Sequence, residues 1–380
     1  MRISYVAGSM IPSLTANSIH VMKMCQAMAQ EGHLVSLIVP ASQHSVDNAS
    51  LDLWLHYGIK KQFPIYWLPV YTKLRGYDFM VRAVMQAKKI GSKLIYTRSV
   101  NVAALAALLR ASVIYEAHSL PMGISGLILF KAMLKQKGFR RLVVISHAMK
   151  RIFSEKYSRW VNEQTLLVAH DGVDLERFEN LPEPSDARMG LGLEPNRFTV
   201  GYSGHLYSGR GIGLIFRLAE CSPHMNFQIM GGYPHDVTNR QHQADQIGIE
   251  NVRFCGFIPN SKLPLYLASC DVLLMPYQQK VAVGGGGDTS AFMSPMKLFE
   301  YMACERLIIS SDLPVLREVL NEKNSILCAP DDIEQWHGAL IRAESDGLWR
   351  SELAMKSRED VQKYTWRKRV QGCLTSKGLR

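Results

Sequence analysis

Short runs of β-branched and aliphatic residues alternate with longer segments of helical periodicity along the whole chain. In the first half, the predicted strands are Ile3–Ala7, Leu34–Val39, Leu94–Tyr96, Val113–Tyr115 and Leu142–Ile145. Residues 20–30, between the first two strands, place apolar side chains on one face of a predicted helix. Strands that alternate with helices predict a parallel, doubly wound α/β sheet.

The same alternation begins again near residue 199. The predicted strands of this second series are Thr199–Tyr202, Phe227–Met230, Val252–Phe254, Val272–Met275, Leu307–Ile309 and Ile326–Cys328. The clearest helical segments between and after them are residues 212–219, 262–268, 297–302 and 332–343. We therefore expect two Rossmann-like domains that face each other, with a ligand cleft at the carboxyl ends of both sheets.

A polar, proline-containing stretch separates the two series. It begins at Glu179, and a new strand starts near Thr199, so we place a linker at 179–197. The predicted domains are therefore 1–178 and 198–362, followed by a C-terminal segment, 363–380.

Composition restricts the class of protein. The chain has 380 residues, of which 47% are hydrophobic, and no apolar run reaches the roughly 18 residues that a membrane span needs. Residues 1–6 resemble an opening strand and not a signal peptide. The seven cysteines form no CxxC pair, which is typical of reduced, buried thiols. These features predict a cytoplasmic protein.

The net charge of +11 is unevenly distributed. Residues 1–178 hold 22 Lys+Arg against 10 Asp+Glu, and the last 18 residues add six basic residues and no acidic one. Nucleic acid is a weak explanation because aromatic stacking platforms are not clustered with the basic residues. An anionic membrane or an anionic lipid-linked glycan fits better, the alternative being an ordinary solvated surface. The basic residues that we expect to contact such a partner are Lys135, Lys137, Arg140, Arg141, Lys150 and Arg151.

A glycine-rich turn opens the second domain. Residues 201–213 hold five glycines and read as a strand, a turn and a helix start, and Arg210 lies within the turn. Glycines let the backbone approach an anion, and a helix N-terminus supplies free N–H groups and a positive dipole end. This pattern favours a diphosphate site with Arg210 as a cation; a tight βα connection without a ligand is the alternative.

A second segment, Ser294 to Met302, has the signal of a helix start. Ser294 is the predicted N-cap and Pro295 the first helical residue. Glu300, one turn further, is a candidate acceptor for ribose hydroxyls because a carboxylate accepts two hydrogen bonds. The alternative is a solvated Glu300 and a surface Lys297.

Two strand ends of the first domain carry polar residues. Glu116 and His118 follow one strand, and Arg98 follows the strand before it. His118 can exchange a proton near neutral pH, although a capping or core histidine and a surface arginine are the simpler explanations. The chain has no GxxxxGK[ST], no GxSxG and no metal-ligand spacing, which argues against P-loop ATPases, α/β-hydrolases and metalloenzymes.

Together these segments resemble the retaining glycosyltransferases of family 4, which have the GT-B fold. The resemblance spans nearly the whole chain. It rests on residues 16–23, 31–35, 170–178 (HDGVDLERF), 251–257, 268–276, 294–303 (SPMKLFEYMA) and 311–314.

The resemblance implies transfer of a sugar from a nucleotide-sugar donor held mainly by the second domain, and a last helix that returns to the first. It implies that Arg210 holds the diphosphate, Glu300 the ribose, and that His118 lies near the reacting sugar. The other donor-side residues are Gly204, His205, Phe257, Ile258, Ser294, Pro295, Met296, Lys297 and Leu298. The residues expected on the acceptor side are Asn17, Arg98 and Glu116.

Three positions depart from the family pattern. Phe292 stands where the first glutamate of E-x7-E is expected, His205 replaces an arginine, and Cys304-Glu305 replaces the usual glycine. They fit the subgroup with SPxKLFEYMA, and they also fit an altered donor or lost activity.

We expect a hexosyl- or hexuronosyltransferase that uses a UDP-hexose or UDP-hexuronic acid, with GDP-mannose still open. The acceptor is a glycan or a lipid-linked glycan in polysaccharide or glycoconjugate synthesis, and neither a cofactor nor a metal is required. A peripheral contact with the inner face of a membrane is expected. The alternatives are a nucleotide-sugar epimerase, a sugar phosphorylase and a non-catalytic polyanion-binding relative.

Overall fold

The computed structural model describes residues 1–41, 52–71, 77–282 and 287–375. Contacts divide the chain into two compact units: residues 1–171 with 366–380, and residues 172–365. The first boundary lies seven residues before the predicted one at 178, so the Gly172–Phe178 stretch belongs to unit 2. Unit 1 holds 26 Lys+Arg against 8 Asp+Glu, and unit 2 holds 18 against 25.

Unit 1 contains a seven-stranded sheet in the order β3-β2-β1-β4-β5-β6-β7. Every strand pair in it is parallel. The strands are Arg2–Val6 (β1), Leu34–Pro40 (β2), Ile65–Leu68 (β3), Leu94–Thr97 (β4), Val113–Ala117 (β5), Phe139–Val144 (β6) and Leu166–Val168 (β7). The helices are Ala16–Gln30 (α1), Leu53–Tyr57 (α2), Tyr77–Lys89 (α3), Val100–Leu108 (α4), Gly123–Leu134 (α5), His147–Lys156 (α6) and, in the order of the chain, the last helix Trp366–Leu374 (α14).

Unit 2 contains a six-stranded parallel sheet in the order β10-β9-β8-β11-β12-β13. The strands are Thr199–Ser203 (β8), Asn226–Met230 (β9), Val252–Gly256 (β10), Val272–Met275 (β11), Leu307–Ser311 (β12) and Ile326–Cys328 (β13). The helices are Pro184–Gly190 (α7), Ile212–Cys221 (α8), Pro234–Gln246 (α9), Leu263–Ala268 (α10), Met296–Ala303 (α11), Ile333–Ser345 (α12) and Gly347–Asp360 (α13). Helix α7 lies inside the predicted linker.

Local signals explain several helix starts. The Thr15 hydroxyl accepts a hydrogen bond from the Ser18 N–H at the start of α1, and Ser146 caps α6 in the same way. The central strands β4, β5, β8 and β11 are buried along their whole length, as expected when helices cover both faces of a parallel sheet.

The sequence patterns did not predict strands β3 and β7. Strand β3 is a four-residue edge strand with a half-exposed Trp67, and β7 has only three residues. These two segments show no recognisable periodicity of their own, and their strand conformation depends on the neighbour that they pair with.

Each sheet has a point where the strand order reverses. In unit 1 the chain moves from β1 outward to β3 and then returns to β4 beside β1; in unit 2 the corresponding pair is β8 and β11. Loops that leave the carboxyl ends of such a pair diverge and leave a crevice for a ligand. The predicted site residues follow these strands or their neighbours.

Two observations bear on the membrane expectations. Within the described residues, no helix combines the length and apolar character that crossing a bilayer would require. The expectation that Arg141 is a surface charge is wrong, because its guanidinium is buried and donates to the carbonyl oxygens of Gly372 and Cys373 on α14. All seven cysteines are free thiols, and five of them are buried.

Candidate active site

The glycine-rich turn of unit 2 joins β8 to α8. Gly211 adopts φ +82° and forms the N-cap of α8, and a Cβ there would lie 1.9 Å from the Pro276 carbonyl oxygen. Among the described residues, no side chain caps this N-terminus. The first-turn N–H groups of α8 therefore remain available to an anion, as the sequence predicts.

Arg210 is held beside this turn by the segment that follows β11. Its Nη1 donates to the Tyr277 hydroxyl at 3.1 Å, and its Nη2 donates to the Ala282 carbonyl oxygen at 3.4 Å. The Nε atom is buried and has no hydrogen-bond partner among the described residues. Two nitrogens of the guanidinium are thus hydrogen-bonded, whereas the Nε proton has no acceptor among the described residues.

Lys297, on α11, is a buried cation and not the surface charge of the simpler reading. The side chain is 8% exposed, and its Nζ lies 3.8 Å from the ring centroid of Tyr202 and 4.9 Å from that of Tyr277. The Nζ has no hydrogen-bond partner among the described residues. Burial, and then repulsion by Arg210, holds the pKa of Lys297 well below its usual range, and attraction by Glu300 is the smaller effect.

Arg210 and Lys297 therefore converge on the same aromatic ring, that of Tyr277. Two positive charges held close together repel each other, and N–H groups without an acceptor add to this cost. A bound anion would offset the repulsion and accept the hydrogen bonds. Gly204 lies against this pair, since a Cβ there would be 3.3 Å from the Lys297 Nζ. The arrangement has the charge and the donors that a diphosphate requires.

The start of α11 differs from the prediction. The helix begins at Met296 with Pro295 at the N-cap, so Ser294 is not the N-cap and Pro295 is not the first helical residue. Pro295 adopts φ −78° and ψ 124°, an extended conformation that proline accepts without strain. Leu298 is buried, and Ser294 and Met296 are half-buried at this N-terminus.

Glu300 is not a solvated helix residue. Its side chain is 13% exposed, its Oε1 lies 3.8 Å from Arg177 Nη1, and the Asn260 amide donates to the same oxygen at 3.4 Å. Arg177 also donates to the Asn260 carbonyl oxygen. Sequence reasoning missed Arg177 and Asn260 as partners of Glu300, although Arg177 lies within the HDGVDLERF stretch.

His205 contributes little positive charge near neutral pH. Burial, followed by the charge of Arg210, lowers its pKa, and its ring stacks on Tyr207 with a centroid distance of 4.8 Å. The remaining donor-side candidates, Phe257 and Ile258, follow β10 and are half-buried.

The polar residues of unit 1 form a buried cluster around Glu116. This carboxylate is fully buried on β5, and Arg369 of α14 contacts both of its oxygens at 3.0 Å. The Tyr96 hydroxyl donates to Oε2. Burial alone would raise the pKa of Glu116, but the charges of Arg369 and His20 outweigh it and hold that pKa well below its usual range.

The prediction that Glu116 contacts the acceptor is therefore wrong. A carboxylate with no exposed surface and a bidentate guanidinium has no room for a substrate group.

His118 lies at the edge of this cluster. Its Nε2 contacts Glu116 Oε1, and one fifth of its side chain is exposed. Burial, and then the positive charge of Arg98, lowers the pKa of His118 to about 3. The imidazole is therefore neutral at physiological pH.

Two further residues of the cluster had no role assigned from sequence. His20 is 2% exposed, and its Nε2 lies 3.0 Å from Glu116 Oε1 and 3.3 Å from Asp171 Oδ1. A histidine on the otherwise apolar face of α1 and the aspartate of HDGVDLERF were the available signals. Arg98 and Asn17 also come together, because the Arg98 Nη1 donates to the Asn17 side-chain oxygen at 2.5 Å.

His20, Glu116 and His118 bring three possible metal-ligand atoms within 4.8 Å of one another. The donor set nevertheless does not suit a divalent cation. Arg369 occupies both oxygens of Glu116, and the positive charge of Arg98 acts on His118. A divalent cation would meet the repulsion of both guanidinium groups.

Models of two protein families match the chain. The model described as "Glycosyltransferase Family 4" matches residues 18–177, and the model described as "Glycosyl transferases group 1" matches residues 198–346. The two matches cover most of both units.

Two characterised relatives match only part of their length. The alpha-galactosylglucosyldiacylglycerol synthase of Streptococcus pneumoniae is 22% identical over 199 residues, 51% of this chain and 49% of the relative. The 2-deoxystreptamine glucosyltransferase of Streptomyces kanamyceticus is 27% identical over 121 residues, 30% of this chain and 31% of the relative. The matched stretches thus span about half and about a third of these relatives.

Solved structures match over nearly the whole chain. A glycosyltransferase of Rickettsia africae superposes with a TM-score of 0.75 at 14% identity, covering 97% of this chain and 96% of that one. Anabaena HepE in complex with UDP and glucose superposes with a TM-score of 0.75 at 15% identity, covering 99% and 100%. These likenesses confirm the predicted two-domain α/β fold of GT-B type.

Proposed function

The chain belongs to glycosyltransferase family 4, and from this premise we propose that it transfers a sugar from a nucleotide-sugar donor to a glycan or lipid-linked glycan. The observation that carries the proposal is the Arg210–Lys297 pair beside the uncapped N-terminus of α8. A nucleotide sugar needs its leaving diphosphate stabilised as the glycosidic bond breaks. Preorganised cations and N–H groups in a water-poor site supply that stabilisation.

We propose that the reaction proceeds with retention and without a resident metal. Arg210 and Lys297 take the place that a divalent cation has in other diphosphate sites, and the leaving phosphate accepts the acceptor proton. Turnover that persists in excess EDTA supports this scheme, whereas loss of turnover that added Mg²⁺ restores contradicts it.

The proposed donor is a UDP-hexose or a UDP-hexuronic acid. Support comes from Anabaena HepE, whose structures contain UDP, UDP with glucose, and UDP-glucose. Glu300, fixed between Arg177 and Asn260, is the proposed ribose ligand, because a carboxylate accepts hydrogen bonds from two neighbouring hydroxyls.

A nucleotide-sugar panel with and without acceptor tests this function. UDP release that accelerates with a glycan acceptor supports a transferase, whereas conversion of the donor sugar without acceptor indicates an epimerase. Phosphate-dependent sugar release indicates a phosphorylase, and binding without turnover indicates a non-catalytic relative. The Arg210→Ala and Glu300→Ala variants should each show strongly reduced turnover. Near-normal rates in both variants contradict the proposed donor site.

We also propose that unit 1 contacts an anionic membrane through helix α5. Ile124 is 81% exposed and Ile128 is 60% exposed, and both lie on the same helical face as Lys135 because successive residues turn by 100°. Exposed isoleucines followed by a lysine suit an interface in which apolar groups enter the lipid and cations meet the headgroups. The diacylglycerol in the name of the S. pneumoniae relative is consistent with a lipid-linked acceptor.

Sedimentation with phosphatidylglycerol vesicles tests this contact. The Ile124→Ser/Ile128→Ser variant should bind less than wild type, and high salt should weaken binding. Leu348→Ser is the matched control, because Leu348 is 82% exposed in unit 2. Equal binding by all three proteins, or equal binding to neutral phosphatidylcholine, contradicts the proposal.

A further inference from the structure

Glu116 connects His118 to the last helix of the chain. This carboxylate contacts Tyr96 of β4, His118 just after β5, His20 of α1 and Arg369 of α14. Arg369, at the far end of the chain, supplies its strongest stabilisation. The sequence motifs do not include Arg369, and it does not reach the surface.

The contact between Glu116 and His118 determines where the histidine proton lies. An ionised carboxylate has only acceptors, so the His118 Nε2 must be the donor in its contact with Glu116 Oε1. A neutral imidazole carries a single ring proton. With that proton on Nε2, Nδ1 carries a lone pair and can only accept.

Arg369 is itself held rigidly. Its Nε donates to the His170 carbonyl oxygen at 2.8 Å, and Nη2 donates to the Ala169 carbonyl oxygen at 3.2 Å. These carbonyl groups directly follow β7, so the edge of the sheet fixes the plane of the guanidinium that contacts Glu116. A lysine offers no planar fork and could not satisfy both carboxylate oxygens and both carbonyls.

We propose that Arg369 and Glu116 are positioning residues that hold His118 as its Nε2–H tautomer, so that His118 accepts a hydrogen bond from a substrate hydroxyl through Nδ1. The inference rests on the proposed function for the identity of the substrate. It assigns His118 the role of acceptor and excludes that of proton donor. It also gives Arg369, on α14, a positioning role toward His118.

Several charged and titratable groups surround this pair and enter any pH dependence. Around Glu116 and His118, these groups are Tyr5 on β1, His20 on α1, Tyr96 and Arg98 at the end of β4, Asp171 after β7, and Arg369 and Cys373 on α14.

Nitrogen-15 NMR of histidine-labelled full-length protein reads the tautomer directly. Two-bond ¹H–¹⁵N correlations distinguish Nε2–H from Nδ1–H, and His118→Gln identifies the signal. In wild type we expect the Nε2–H pattern, unchanged between pH 5 and pH 8. An Nδ1–H pattern, or a doubly protonated ring in this range, overturns the proposal. This readout needs no substrate, so it holds whether or not the donor has been identified.

Variants separate positioning from stability. Arg369→Met leaves Glu116 buried without its guanidinium, which favours a protonated carboxyl that can donate to the His118 Nε2. We expect the His118 signal to lose its Nε2–H pattern and kcat to fall about tenfold or more. Glu116→Gln/Arg369→Met removes both charges and should melt at higher temperature than Arg369→Met. Its kcat should stay low, because the amide no longer requires Nε2 to be the donor.

Arg367→Met is the matched control on the same helix, since Arg367 is half-exposed and pairs with Glu31. It should leave the His118 signal and kcat unchanged. If the double variant regains both the wild-type melting temperature and the wild-type kcat, the pair is only structural and the proposal fails.

Discussion

The Lys297→Met variant should be more stable than wild type without ligand and should bind UDP more weakly. Burial of an ammonium costs several kcal/mol, and contact with two aromatic rings returns up to about 2 kcal/mol per ring when the site is desolvated. Arg210 adds repulsion. Methionine fills the space of the lysine stem and suits a helix, so we expect a gain of about 1–3 kcal/mol in the free energy of unfolding at pH 7.

The gain should depend on pH in a definite direction. The pKa of Lys297 in the folded state lies below its unfolded value of about 10.4. The destabilisation is therefore fully present below the folded pKa and disappears as the pH rises from there towards about 10.4, because the unfolded state then binds more protons. The stability difference between Lys297→Met and wild type should narrow between pH 7 and pH 10.

UDP should narrow the stability difference between the two proteins. At a hundredfold excess over the dissociation constant, wild type gains about 2.7 kcal/mol. Loss of one charge-assisted hydrogen bond costs about 1.5–3 kcal/mol of binding, so the variant should gain about 1 kcal/mol or less at the same UDP concentration. Lys323→Met, which removes an exposed lysine of unit 2, is the control and should change neither quantity.

Urea unfolding with and without UDP, at pH 7 and pH 9.5, measures all of these changes. The reasoning is refuted if Lys297→Met is less stable than wild type without ligand and gains as much from UDP.

Four further substitutions test the packing of unit 2. Gly211→Ala should lower the free energy of unfolding by at least about 2 kcal/mol and abolish UDP binding, because φ is +82° and the new Cβ would clash with the Pro276 carbonyl. Gly213 is the control on the same helix, where a Cβ meets open space. Gly213→Ala should raise the free energy of unfolding by up to about 1 kcal/mol, and thermal unfolding measures both changes. Arg188→Met should lower the free energy of unfolding in urea by about 3–5 kcal/mol, because it leaves the nearly buried Asp271 carboxylate without its ion-pair partner. Arg317→Met breaks half-exposed pairs and should cost less than about 1 kcal/mol, and equal costs for the two arginines would contradict this account.

The order of strands and helices was largely predictable from sequence. Strands β11 and β13 have their predicted bounds, and the other predicted strands differ by one to three residues at an end. Periodicity depends on which residues face the core, which is a local property of each segment. The glycine turn and Arg210 were also found from sequence, because positive φ angles and a helix N-terminus leave local composition signals.

The partners of the charged residues were not predictable. Arg369 belongs to a basic tail that looks like solvated surface, and Arg141 belongs to a run of basic residues; both are buried against chain segments more than 200 residues away. Lys297 looks like an exposed helix residue but lies over Tyr202 of β8 and over Tyr277, which follows β11. The predicted cleft between the domains stays a prediction.

The sequence by itself determined that this chain forms two parallel α/β sheets with an anion-suited turn after β8, because periodicity and turn chemistry act between neighbouring residues. Only the tertiary structure decided that Glu116 is buried and contacts His118, and that the buried Lys297 Nζ has no hydrogen-bond partner among the described residues. The free energy of a charge depends on burial and on groups brought near by strand order, and neither quantity is written in the local sequence.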